Sequence, residues 1–175
     1  MLKRTLLVTV VFGGEQIIAY DAQVADLGRV VGIDVGARRV GLAISDVTQT
    51  LARPLTTLTV ADAAQAVARV VREVERLAAE DDGVAAIVVG LPTALDGSPN
   101  EQTNRVRAFI AALTARTTLP VVHADERLTS REAESRLAER ERDWRRRKTR
   151  LDAAAAAVIL QDYLDQEGRK GGRGT

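Results

Sequence analysis

Acidic residues recur in this chain where an apolar run stops or a helical pattern begins. Asp34 lies in GIDVGARRVGLAISD, positions 32–46, just after the apolar RVV. Asp125 and Glu126 follow the apolar LPVVHA, and Asp152 stands before the run AAAAAVIL. A charge is costly to bury unless it is paired or holds a metal. Carboxylates brought together repel and tend to hold protons, whereas a divalent cation keeps them ionised. Two such cations ~4 Å apart clamp the attacking and leaving oxygens of a phosphodiester. The chain has no cysteine and one histidine, His123. Disulfides, thiolate zinc sites and histidine-rich metal centres are thereby excluded. The ligands left are oxygens, which suit Mg2+ or Mn2+.

Strands and helices must carry these acids to one place. A chain of 175 residues without a compositional break is read as one domain with a real core. RVVGID and RVGLAISD are short apolar runs joined by the turn VGAR, and ARPLTTLTV is a third, its Pro54 marking a sheet edge. Val67, Val70, Val71, Val74 and Leu77 then recur at helical spacing over residues 62–80, behind Asp62 as cap. The strand VAAIVVG, a helix from Glu101 to Arg116 and the strand LPVVHA follow. Thr129, with Glu132 at the capping-box position, opens a helix to about Arg140, and a last helix begins near Asp152. This order predicts an α/β fold: a mixed sheet, antiparallel in its first three strands and then parallel, flanked by helices. Working sites in open α/β sheets gather at the carboxyl ends of strands, so Asp34, Asp152 and one of Asp125 or Glu126 are candidates for a single cluster. Neighbouring strand residues point to opposite faces, which leaves the choice between Asp125 and Glu126 open. Removing one charge from such a cluster is expected to leave melting unchanged or to raise it.

The flanks differ in character. Residues 1–28 read as an N-terminal extension, either a hairpin turning at Gly13-Gly14 or the product of a mis-called start. Lys3 and Arg4 before an apolar stretch imitate a signal peptide, but Glu15 follows and no small-residue cleavage site does. No segment approaches the ~18 apolar residues of a membrane helix, so a cytoplasmic location is expected. Net charge is only +1, yet positions 140–150, RERDWRRRKTR, concentrate positive charge just before Asp152. Arg145, Arg146, Arg147, Lys148 and Arg150 are therefore candidate phosphate contacts on a loop, the competing reading being a solvated helix face. Residues 167–175 read as a flexible basic tail.

Four blocks carry a resemblance: GIDVGARRVGLAISD, IVVGLPTALDGSPNEQTNRVRAF, DERLTSREAESRL and KTRLDAAAAAVILQDYL. In this order, from about Arg29 to Leu164, they resemble the YqgF family, also called RuvX, of Holliday junction resolvases with a ribonuclease H fold. The resemblance implies a five-stranded mixed sheet in a nuclease domain over residues 29–166. It also implies a two-metal-ion endonuclease acting on nucleic acid, either at the precursor end of 16S rRNA or on branched DNA. Asp34, Glu126 and Asp152 match the family's catalytic acids and would hold Mg2+ or Mn2+, with Asp125 in reserve. Arg105 would face the same cleft, and Lys148 and Arg150 take the family's lysine positions. A resolvase would further imply a homodimer. Two rivals stay open: an actin-like ATP-binding domain, whose first strands share the G-x-D-x-G turn, and a non-catalytic RNA-binding module of ribosome assembly.

If the arginine run grips phosphates, log affinity for nucleic acid falls linearly with log salt, by close to one unit of slope per contact. Replacing Arg145, Arg146 and Arg147 together by alanine should flatten that slope in a fluorescence-anisotropy titration, with the melting curve unchanged. An unchanged slope would mark the run as a solvated face.

Overall fold

In the computed structural model the described residues are 5–12, 15–23, 28–92, 100–125 and 144–171. Alternating apolar residues form the centre of the sheet, strands β3 (Arg29–Val35) and β4 (Arg39–Ser45). Before them, β1 (Thr5–Phe12) and β2 (Glu15–Gln23) pair antiparallel as a separate two-stranded sheet, the hairpin expected for the first 28 residues. After them come β5 (Ala52–Thr59), helix α1 (Ala63–Ala78), β6 (Val84–Leu91), α2 (Glu101–Thr114), β7 (Val121–Asp125) and α3 (Trp144–Gly171). The five-stranded sheet has the order β5-β4-β3-β6-β7. Pairs β3/β4 and β4/β5 are antiparallel, and β3/β6 and β6/β7 parallel. The expected mixed sheet is thus observed, and the Pro54 strand does lie at an edge, where its missing N–H costs no ladder bond.

Each sheet face has its own apolar layer. Val31, Ile33 and Val35 of β3 and Val40, Leu42 and Ile44 of β4 pack beneath α1 and α2. Helix α1 buries Ala66, Val67, Val70, Val74 and Leu77 there, and Asp62 accepts from Gln65 N as its cap. Asn100 and Thr103 form a reciprocal capping box at the start of α2, while Thr103 Oγ1 also donates to Pro92 O at 2.6 Å. On the opposite face, Val30, Ala43 and Val88 meet Ala156, Ile159, Leu160 and Leu164 of α3. Gln161 fastens this helix to the β5 edge, accepting from Ala52 N at 2.8 Å and donating to Thr50 O at 3.0 Å.

Two boundaries differ from expectation. Helix α3 is described from Trp144, so residues 144–150 of the arginine run are helical and Asp152 sits about two turns inside the helix rather than opening it. Arginine and lysine are good helix formers, and no glycine or proline between Trp144 and Asp152 interrupts them. The same helix continues to Gly171, into the stretch read as a tail. His123, on edge strand β7, is exposed. The helix expected over 129–140 lies outside the described residues.

The turn after β4 is organised by Asp46. Its Oδ1 accepts from Thr50 N at 2.8 Å and Leu51 N at 2.9 Å, and its Oδ2 from the Thr48 hydroxyl. The Leu51 N–H, the Thr48 hydroxyl and the Thr50 N–H together lower its pKa to about 2. A depressed pKa contributes stability that is fully present above the ordinary carboxylate value and is lost as pH falls through about 2. Asp46→Ala should therefore depress Tm at pH 7 and depress it less at pH 2, as read by circular dichroism melts. Equal losses at both pH values would show that ionisation of Asp46 does not hold the turn.

Candidate active site

The site is built on two glycines. Gly32 and Asp34 alternate with the core residues Val31, Ile33 and Val35, which assigns both to the α3 face of β3. A Cβ at Gly32 would come within 2.7 Å of Leu160 Cβ and 2.9 Å of Ala156 O. A Cβ at Gly41 would overlap the carbonyl of Asp152 and lie 3.0 Å from Ala153 N. Helix and sheet therefore touch backbone to backbone at Gly41. Gly41 is the register partner of Asp34 across the antiparallel ladder, and residues opposed in this way share a face with Cβ positions ~5 Å apart. The glycine that admits the backbone of Asp152 is thus the neighbour of Asp34. These two acids, 118 positions apart in sequence, meet on one face.

Arg39 lies two residues before Gly41 and so on the same face of β4. Its Nε donates to Asp152 Oδ2. The side chains are 28% and 24% exposed, respectively, so this pair is shielded more than an ordinary surface ion pair. Asp152 is held twice by β4: its backbone against Gly41, its carboxylate by Arg39. Neither β4 residue stood out in the sequence, although alternation from the glycine could have put position 39 beside the site. Asp152 lies within the helix and not at its N-terminal cap.

Of the other expected site residues, Asp125 and Arg105 are placed in the opposite layer. Glu126 lies outside the described residues. Asp125 ends β7 as the register partner of Leu91, a residue of the α1/α2 layer, while Ala124 before it packs with the α3 layer. Register thus puts position 125 on the face away from Asp34. Arg105 is an exposed residue of α2, in the opposite layer, and pairs with Glu101 at 3.0 Å; it is not brought to Asp34 or Asp152. Arg145, Arg146, Arg147, Lys148 and Arg150 occupy the first two turns of α3, on the N-terminal side of Asp152.

Hard oxygen donors on one face suit a magnesium-class cation. Asp34 and Asp152 supply them, and Arg39 engages Oδ2 of Asp152 but not Oδ1. Among the described residues no three acidic or imidazole groups form a metal cluster.

Sheet order and helix placement define a ribonuclease H-like fold. A solved structure of Thermus thermophilus RuvC in complex with a Holliday junction substrate shares that fold, with a TM-score of 0.51 at 20% identity, covering 80% of this chain and 96% of that one. The chain belongs to the RuvX family, whose model, described as Holliday junction resolvase, matches residues 28–166. A "Putative pre-16S rRNA nuclease" of Roseiflexus sp. (strain RS-1) is 38% identical over 140 residues, covering 80% of this chain and 96% of the relative. A protein of the same name from Chloroflexus aggregans (strain MD-66 / DSM 9485) is 43% identical over 136 residues, 78% of this chain and 92% of the relative.

Gly41→Ala should cost stability at or above the upper end of the ~1–3 kcal/mol typical of overpacking, because the obstructing atoms are backbone. Gly168→Ala, in the same helix with nothing near the added methyl, should instead gain about 0.5–1 kcal/mol. Urea denaturation of both variants tests the contrast. A Gly41→Ala protein as stable as the parent would show that helix and sheet are not in backbone contact.

Proposed function

We propose that this chain is a divalent-metal-dependent endonuclease, with Asp34, Glu126 and Asp152 as its catalytic acids and metal ligands. The shared face of Asp34 and Asp152 carries this reading, since two carboxylates on one face offer hard oxygen donors to a divalent cation. Asp125 is the less fitting partner, because its register position belongs to the other face. A bound Mg2+ or Mn2+ would supply water activation and neutralise charge on the departing oxygen. The chain's own residues do the rest. Asp34 and Asp152 would hold such an ion on their shared face. Arg145, Arg146, Arg147, Lys148 and Arg150 grip the flanking backbone without reading sequence. Arg105 lies on α2, in the opposite layer, and this reading does not draw on it.

The preferred substrate is the precursor end of 16S rRNA, since proteins 38–43% identical over most of their length carry that name. The junction-resolving alternative draws on the family description. It demands two active sites and hence a two-fold dimer, whereas trimming an RNA end demands one. A cytoplasmic site of action follows from an RNA substrate and agrees with the lack, among the described residues, of a helix long and apolar enough to cross a membrane.

Labelled precursor rRNA and a four-way junction, offered side by side with Mg2+ or Mn2+, test the reading. Asp34→Asn, Glu126→Gln and Asp152→Asn should each abolish cleavage and leave substrate binding intact. Of these, Asp152→Asn should also melt lower than the parent, because it strips Arg39 of its ionic partner; this reverses the expectation from clustered charge alone. An Asp34→Asn protein that cuts at near-parental rate would sink the assignment in favour of a nucleotide-binding or RNA-binding role. Light scattering adds a second check: a monomer, with and without substrate, selects the RNA end.

A further inference from the structure

Arg39 is engaged with Asp152 through one atom. Its Nε donates to Asp152 Oδ2, and among the described residues Nη1 and Nη2 donate to nothing. A guanidinium is a rigid planar fork with five N–H donors, and its outer edge matches two oxygens of a phosphate. Here that edge is tethered beside the acids by the Nε contact, on a strand fixed by the α3 packing, and the side chain keeps 28% of its surface in solvent. An arginine kept only as a counter-ion would more naturally meet the carboxylate with two nitrogens, the bidentate arrangement that gives Arg–carboxylate pairs their strength. Three features thus coincide at one residue: a fixed position, solvent access and an unspent pair of donors.

We propose that Arg39 is a substrate-binding residue that holds Asp152 with Nε and presents Nη1 and Nη2 to a non-bridging oxygen of the phosphodiester being cut. This rests on the nuclease reading above for the identity of the ligand. The two functions call for arginine in particular. Lysine carries one ammonium on a flexible stem, so it can replace one contact but cannot hold both edges at once. With the acids' charge met by cations, the same guanidinium adds positive charge where the phosphate must lie, without competing for Asp152 Oδ1.

Arg39→Lys and Arg39→Gln, each in the full chain carrying Asp34→Asn to prevent cleavage, separate the two edges. Arg39→Lys should melt like its Asp34→Asn parent, because an ammonium can still pair with Asp152. Both variants should lose between about 0.7 and 0.9 units from the slope of log affinity against log salt, the loss of one phosphate contact, measured on labelled precursor rRNA and a four-way junction. An Arg39→Lys protein with the parental slope would overturn the proposal and leave Arg39 as a counter-ion only. If the parent binds neither nucleic acid, the nuclease reading falls by itself. Arg39 is then decided by titrating inorganic phosphate into 15N-arginine-labelled parent: Nη resonances of Arg39 that move while Nε stays put support the phosphate edge, and resonances that do not move refute it. The same titration decides the matter if Arg39→Lys fails to fold.

Discussion

Backbone contact between α3 and the sheet at Gly41 is the constraint on which the site depends. Side chains normally keep a helix and a sheet about 10 Å apart, but a glycine removes the spacer, and here any Cβ would overlap the carbonyl of Asp152. Gly32 repeats the device further along the helix, beneath Ala156 and Leu160. The alanine-rich start of the α3 face serves the same end, with Ala153, Ala154 and Ala156 buried. Close approach fixes the height and rotation of the helix over β3 and β4. Since Gly41 is the ladder partner of Asp34, the contact that packs the helix also sets the spacing of two acids from opposite ends of the chain.

Electrostatics completes what packing begins. A half-buried carboxylate on α3 would swing among rotamers if left alone. Arg39 restrains it, from the same strand that already holds its backbone. The arrangement is preorganised: the acid is positioned by elements whose own places are set by the apolar layers on both sheet faces, so little ordering remains when a ligand arrives. Arg29 plays a comparable structural part at the far end of β3, where its buried guanidinium binds Glu80 at 2.8 Å and the carbonyls of Leu77 and Gly83. That contact ties the sheet to the end of α1 and lowers the pKa of Glu80.

Local patterns made most of the fold readable. The valines of α1 announce a one-sided helix by spacing alone, and Asp62 marks its start as it would in an isolated peptide. Pro54 declares an edge because it lacks a ladder donor. Reading failed where the decisive fact was not local. Residues 144–150 of the arginine run pass for a loop because charge says nothing about backbone conformation, yet they are helix.

By itself the sequence determined which chemistry was available: a chain without cysteine and with one histidine must draw a metal's ligands mainly from oxygen, and period and punctuation assign its acids to strand ends and a terminal helix. It also determined the order of strands and helices, because hydrophobic period is a property of neighbours along the chain. Tertiary structure alone decided which acids face one another. Strand register put Asp34 opposite Gly41 and position 125 on the far face. Helix docking brought Asp152 to Arg39, across 113 residues. No local pattern encodes these pairings, because a shift of one residue in register would send every side chain of a strand to the other face, and only the packed sheet and helix exclude that shift.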